Sequence, residues 1–301
     1  MVNKIKIHPD GPKISELSAG MMRLNNWDFS LSERVDFVLF CMEQGITTFD
    51  HADIYGGYAN EQLFGEVLSE QPNLRENMEI VSKCGICLVN DKRPENHIKH
   101  YNTTEEYIFN SVERSLKNLQ TDYLDLLLIH RPDPLMDYTE LADTLMKLKM
   151  DEKILHAGVS NFSVSQFDAL QSKLDMPLVT NQVQWSPLHL DPLFDGTFDQ
   201  AQQVNASPMI WSPYAGGNIF HDHSERTNRI RGTLHKLSEK YSAAVDQIIL
   251  AWLKRHPVNA VIILGTGNRD RIAGAVDAME IELSRQDWFK ILKASQGFDV
   301  P

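Results

Sequence analysis

Residues 123–130 read Tyr-Leu-Asp-Leu-Leu-Leu-Ile-His, and this stretch decides the fold class. It is almost continuously apolar. A strand with one wet face alternates polar and apolar residues, whereas one covered on both faces does not. The run therefore reads as a strand of a parallel sheet with helices packed outside it. Seven more short apolar or β-branched runs occur along the chain, at 16–19, 46–50, 78–83, 155–160, 178–184, 209–212 and 258–264.

Helical patterns fill the gaps. Residues 32–44 put Val35, Val38, Leu39 and Met42 on one face, with Gly45 as the stop. Thr103-x-x-Glu106 reads as a capping box ahead of Ile108, Val112, Leu116 and Leu119; Ser163-x-x-Gln166 reads likewise ahead of Phe167, Leu170 and Leu174. Leu141, Leu145 and Leu148 form another stripe, and Ser284 opens a last helix carrying Trp288, Ile291 and Leu292. Before all of these, residues 4–7 and 13–15 form a hairpin about Asp10-Gly11. The expectation is an α/β chain: an eight-stranded parallel (β/α)8 TIM barrel with an N-terminal β-hairpin, one domain over residues 1–301. The rival, an open doubly wound sheet, usually carries G-x-G-x-x-G after its first strand, and residues 17–22 do not.

Composition narrows the function. Apolar residues make up 42% of the 301, and 29 Lys and Arg against 41 Asp and Glu leave a net charge of −12. Such a balance argues against a general nucleic-acid or anionic-membrane binder. Residues 1–14 lack the apolar core of a secretory signal, and no run approaches a membrane span, so a cytoplasmic location is expected. Cys41, Cys84 and Cys87 are too few for a disulfide framework. Cys84-x-x-Cys87 reads as two reduced thiols after a strand, with no second pair to complete a zinc site, and no metal is expected.

Asp50, Lys83 and His130 each close one of the runs, and Tyr55 stands in the loop just past Asp50. In a barrel these four gather at one rim, where an acid, a phenol, an amine and an imidazole suit proton transfer to a polarised oxygen. A phenol with an ordinary pKa near ~10 is a poor donor at neutral pH. An adjacent ammonium is expected to lower it, which is the part open to Lys83. Asp50 can hold Lys83, and His130 can orient a substrate oxygen. Taken singly, each has an ordinary structural reading: a loop cap, a loop aromatic, a solvated lysine, a packed strand-end histidine. Their joint placement favours chemistry.

The motifs F-D-H-A-D-I-Y-G (49–56), Lys83, D-Y-L-D-L-L-L-I-H-R-P-D (122–133), G-V-S-N-F (158–162) and N-Q-V-Q (181–184) occur in an order that resembles the aldo-keto reductases, the bacterial members most of all. The overall look includes the short end G-F-D-V-P. The resemblance implies a barrel that binds a nicotinamide cofactor without a dinucleotide fold. It implies Tyr55 as general acid, supported by Asp50, Lys83 and His130. Asp50 is expected to border the cofactor too. Ser160, Asn161 and Gln182 would hold the nicotinamide carboxamide, Trp211 would stack on its ring, Gly20 and Met21 would approach the ribose, and Ser212 and Tyr214 would follow the pyrophosphate. Gly265, Thr266, Gly267 and Asn268 open a helix and would cradle the adenosine phosphate. Arg271, helped by Arg269, would pair with a 2′-phosphate, which favours NADPH over NADH.

The chain departs from the family pattern at four places. Gly265 stands where Lys is common, Ala275 where Asn is common, His51 where Thr or Ser is common, and Ala215 where Gly is usual. Trp27, Tyr55, His130 and Trp211 are the expected substrate contacts, with Met22, Leu24, Asn218 and Phe220 as further walls. The polar loop 88–102 is long for a barrel connection, which often marks function. The expected activity is NADPH-dependent reduction of a small aldehyde or ketone, by a monomer or weak homo-oligomer. Three other readings compete: an NADPH-binding regulatory or sensor protein, a Schiff-base aldolase with Lys83 as nucleophile, and, more distantly, a metal-dependent hydrolase using Asp50, His51 and Asp53.

Overall fold

The structure is a computed structural model that describes residues 1–299; Val300 and Pro301, the last two residues of the G-F-D-V-P segment, lie outside the described residues. The strands are β1 (Lys4–Lys6), β2 (Lys13–Ser15), β3 (Leu17–Gly20), β4 (Thr48–Asp50), β5 (Glu79–Cys84), β6 (Ile86–Cys87), β7 (His100–Tyr101), β8 (Leu124–Ile129), β9 (Ile154–Ser160), β10 (Leu178–Gln184), β11 (Met209–Trp211) and β12 (Val261–Leu264). The α-helices are α1 (Leu31–Glu43), α2 (Tyr55–Tyr58), α3 (Asn60–Glu70), α4 (Glu105–Leu119), α5 (Tyr138–Met150), α6 (Val164–Gln171), α7 (Thr197–Gln203), α8 (Asn218–His221), α9 (Glu225–Tyr241), α10 (Val245–Lys254), α11 (Arg269–Ala278) and α12 (Arg285–Gln296). Strands β3, β4, β5, β8, β9, β10, β11 and β12 pair in that order, all parallel, and β12 returns to β3, so the sheet closes as an eight-stranded barrel. Closure leaves it no free edge.

The continuous apolar run of β8 now has its reason. Leu126 and Leu128 point into the barrel, where they meet Val81, Val179, Met209, Val261 and Ile263. Leu127 and Ile129 point outward into the layer beneath the helices, and Leu124, at the start of the strand, packs with that same cluster. Both faces are covered, and the one polar residue of the strand, Asp125, is paired with Arg75 at 2.8 Å. The same parity governs β5, where Val81 joins the interior and Lys83, two residues on, must point inward as well.

The expected hairpin pairs Lys4 with Ser15 and Lys6 with Lys13. Its flanking Ile7 and its Ile14 are fully buried against the interior cluster, and the Ser207 amide just ahead of β11 donates to the Ile7 carbonyl. The hairpin thus plugs the end of the barrel where the strands begin. The other end, where Asp50, Lys83 and His130 stand, remains the mouth.

Two sequence readings shift. The last strand starts at Val261 rather than 258, because the Val258 amide donates to His256 Nδ1 at 3.3 Å and Asn259 takes φ 51°, which makes this a turn. Thr103 does not cap α4. Its hydroxyl goes to Asp133 at 3.3 Å, the helix starts beyond Thr104, and Asn102 Oδ1 accepts from the Thr104 amide at 3.1 Å. The boxes at Ser30–Glu33 and Ser163–Gln166 both form. Among the described residues no helix is long and apolar enough to cross a membrane.

Helix α3 crosses α4 at Gly65, where an added Cβ would overlap the Asn118 carbonyl oxygen. Backbone cannot move aside cheaply, so Gly65→Ala is expected to cost about 1–3 kcal/mol. Thermal melting followed by circular dichroism checks this; an unchanged midpoint would show that the crossing has slack.

Candidate active site

The four rim residues come from the end of β4, the start of α2, β5 and the position just past β8. Asp50 is the last residue of β4 and pairs in register with Gly20 on one side and Val81 on the other. Lys83 is fully buried and donates to Asp50 Oδ1 and Oδ2 at 2.8 Å each, to the His51 carbonyl at 2.7 Å and to the Tyr55 hydroxyl at 3.1 Å. Three ammonium protons therefore face four acceptors, and none is left without a partner. Gln182 Nε2 donates to Asp50 Oδ1 at 2.8 Å and holds the carboxylate from across the barrel. The rings of Tyr55 and His130 lie edge-on with centroids 5.9 Å apart.

Burial by itself would lower the Lys83 pKa, but the charges and hydrogen bonds of Asp50 and Tyr55 raise it above its ordinary value. Lys83 is therefore an ammonium at neutral pH. Tyr55 corrects a sequence expectation. Burial raises its pKa by more than the Lys83 charge lowers it, and the net shift is upward. Desolvation of the phenolate outweighs one nearby cation. His130 goes far below its ordinary value, through burial and then the charges of Lys83, Arg131 and Lys99, so its imidazole is neutral. Its Nδ1 is buried without a hydrogen-bond partner, which favours the tautomer carrying the proton on Nε2.

A second group lies beside these. Trp211 is half-buried, and its Nε1–H donates to Asn161 Oδ1 at 3.0 Å. Asn161 Nδ2 donates to the Ser160 hydroxyl at 2.7 Å, which in turn donates to the Gln182 carbonyl at 2.9 Å. Asn161, Ser212 and Ala215 all take positive φ, of 59°, 52° and 52°. Such a backbone is ordinary for Gly and strained for Ala, which explains the family's usual glycine at Ala215. Gly20 has no room for a side chain, since a Cβ would lie 2.8 Å from Ile263 Cγ2. Asn60, which drew no attention in the sequence, donates to the Met21 and Met22 carbonyls at 2.8 and 3.0 Å and fixes the loop after β3.

The turn at 265–268 opens α11. The Asn268 side chain caps that helix by accepting from the Arg271 amide at 3.0 Å, and the Thr266 hydroxyl accepts from the Asn268 amide at 3.1 Å. Gly265 faces open space, while Ala275 is buried in the helix layer. Arg271 is exposed, and its charge offsets part of the rise in the buried Tyr214 pKa. Arg269 turns instead to α1, 4.0 Å from Asp36 and 5.6 Å from the Phe40 ring centre. Trp27 lies beside the same turn. Its ring packs on Phe29 and Phe37, and a Cβ on Gly267 would lie 2.7 Å from its Cδ2. Trp27 thus braces the 265–268 turn. Leu24 is buried in the helix layer, whereas Met22 and Phe220 are exposed. The 88–102 loop is a short β6–β7 hairpin tied down by the Leu88 amide on the Tyr58 hydroxyl at 2.8 Å and by Arg93 over the Tyr58 ring at 4.6 Å.

A phenol, a paired ammonium, a neutral imidazole and a braced aromatic ring stand at the strand ends of one barrel. The chain matches the aldo/keto reductase family over residues 16–296. It belongs to that family. It is 47% identical over 302 residues to the oxidoreductase YdhF of Escherichia coli (strain K12), with both chains covered in full. It is 39% identical to a 6-dehydroglucose reductase of Agrobacterium fabrum, over 97% of each chain. A crystal structure of a thermostable aldo-keto reductase in complex with epalrestat superposes with a TM-score of 0.83 at 27% identity, covering 97% of this chain and 99% of that one. The chain is therefore an oxidoreductase of a family that acts on small carbonyl substrates with nicotinamide cofactors. The donors described suit such a cofactor: a half-buried indole can face a flat ring, and the opening of α11 with Arg271 can face phosphate.

His51, the family departure next to Asp50, is buried with neither ring nitrogen hydrogen-bonded, packed on Phe64 at 4.5 Å between ring centres. Burial, and then the Lys83 charge, takes its pKa down to about 3. Between the ordinary histidine value near ~6.5 and that value, the unfolded chain binds a proton that the folded one does not, so stability falls as pH falls through this window. The full contribution is of order 5 kcal/mol. Denaturant melts at pH 7.5, 6 and 4.5 should show stability falling with pH in the wild type and a shallower fall in His51→Thr; identical slopes would assign the loss to other groups.

Proposed function

We propose that the protein reduces small aldehydes or ketones to alcohols, with NADPH preferred over NADH and with Tyr55 as the general acid. The observation that carries this reading is the Tyr55 hydroxyl accepting from Lys83 Nζ at 3.1 Å while Asp50 holds the ammonium in place. Because that oxygen accepts from Lys83, its own proton is free to leave toward the mouth. The bound cofactor supplies hydride to the carbonyl carbon. Tyr55 gives its proton to the carbonyl oxygen as charge builds there, and Lys83 stabilises the phenolate left behind. The raised phenol pKa is consistent with this, since an alkoxide is far more basic than a phenolate even in a buried site. His130 donates from Nε2 to the same oxygen and fixes its position. Trp211 faces the nicotinamide, Ser160, Asn161 and Gln182 meet its carboxamide, and Gly20, Met21 and Asp50 border its ribose. Ser212 and Tyr214 follow the pyrophosphate, Gly265, Thr266, Gly267 and Asn268 take the adenosine phosphate, and Arg271 takes the 2′-phosphate.

A Schiff-base role for Lys83 needs a neutral amine, and Asp50 works against that. The tetrad also argues against a binding-only protein, which has no use for a proton donor at the mouth. In a panel of aldehydes followed by NADPH absorbance, Tyr55→Phe should lose about 100-fold or more in kcat while still quenching tryptophan fluorescence on binding NADPH. Turnover retained in Tyr55→Phe would sink the proton-donor role, and absence of turnover in the wild type would favour the binding reading. Arg271→Ala should weaken NADPH by about tenfold or more and NADH far less. Equal losses for the two cofactors would remove Arg271 from the 2′-phosphate.

A further inference from the structure

We propose that Arg131 selects the substrate by pairing with an anionic group, a carboxylate foremost, carried by the carbonyl compound; the inference rests on carbonyl reduction at this site. Arg131 directly follows His130 at the end of β8, and its guanidinium carbon lies 5.6 Å from the centre of the Trp211 ring. That ring is held by Asn161, so the cation rests on a fixed platform. Arg131 is half-buried, yet among the described residues no carboxylate lies within ion-pair distance of it and its guanidinium makes no hydrogen bond. The nearest acid in sequence, Asp133, is committed elsewhere: Oδ2 accepts from Thr103 at 3.3 Å and Oδ1 from the Leu135 amide at 2.8 Å. Asp50 is taken by Lys83 and Gln182.

Local charge leads the same way. The Asp50–Lys83 pair cancels, Tyr55 and His130 are neutral, and Arg131 remains as uncompensated charge in a chain of net charge −12. Its charge is felt at Tyr55 and His130, as is that of the exposed Lys99 at His130. The phosphate end of the cofactor does not explain Arg131. The Arg131 backbone leaves the barrel at β8, four strands from β12, and its guanidinium reaches the Trp211 ring, the wall expected to meet the nicotinamide rather than the phosphates. A planar guanidinium on an aromatic ring offers a forked pair of donors to a carboxylate.

The test compares 4-carboxybenzaldehyde with its methyl ester at saturating NADPH. The wild type should favour the acid in kcat/KM by about tenfold or more, and Arg131→Gln should remove most of that preference. Arg131→Lys, which keeps the charge without the fork, should fall between them. Binding of 4-(hydroxymethyl)benzoate in the presence of NADP+, followed by tryptophan fluorescence, should weaken about tenfold in Arg131→Gln. No preference in the wild type overturns the proposal, as does a loss in Arg131→Gln shared equally by acid and ester. Weaker NADPH affinity with the acid preference intact also overturns it, by moving Arg131 to the cofactor. If neither aldehyde is reduced, the proposed activity fails, and the binding arm alone decides Arg131: weakened binding supports the role, unchanged binding overturns it.

Discussion

A charged lysine inside a barrel core is an expensive object, and the neighbourhood of Lys83 is arranged around keeping it charged. Taking an ammonium out of water costs several kcal/mol even after relaxation, and only close, complete pairing offsets this. Asp50 accepts through both oxygens, the His51 carbonyl accepts a further bond, and Gln182 restrains the carboxylate from the opposite side. An apolar pair of similar volume would fill the same space at comparable or better stability. The ion pair is therefore poorly explained as a stabilising device and well explained as a fixed positive potential at the Tyr55 oxygen.

That potential does not make the phenol acidic in absolute terms. The mouth is dry enough that burial raises the Tyr55 pKa despite Lys83. The same dryness keeps His130 neutral and strengthens each remaining electrostatic interaction. The phenol thus keeps its proton in the resting state, and the lysine reduces the cost of the phenolate when the proton goes. The hairpin contributes by sealing the far end of the barrel with Ile7 and Ile14, so that the interior beneath Lys83 is filled with side chains rather than water.

Much of this was legible in the sequence because it follows from short-range rules. The nearly continuous apolar run of 123–130 announced a strand covered on both faces, and the place of Lys83 at the end of its own run put it at the rim. The caps at Ser163 and Ser284 followed from local chemistry. Long-range packing was not legible. Nothing local says that Trp27 leans on Gly267, that Arg269 turns to Asp36, or that Thr103 leaves its helix for Asp133. The sign of the Tyr55 shift also depends on how much water the folded mouth excludes, which no spacing records.

Arg131 illustrates the difference most clearly. In sequence it is one basic residue in an H-R-P-D motif, indistinguishable from a solvated surface arginine. Its meaning comes from absences that only the fold creates: Asp133 turned away, Asp50 consumed, the imidazole beside it uncharged. An acidic protein repels anions from most of its surface, so an unmatched, half-buried cation beside the reacting groups weighs more than its formal charge implies. Arg131 follows β8 and reaches the Trp211 ring, while Arg271 stands in the first turn of α11. If the first holds the substrate's anion and the second the cofactor's phosphate, each ligand has its own charge to pair with, and their reacting ends are left to meet beside the Lys83–Tyr55 pair.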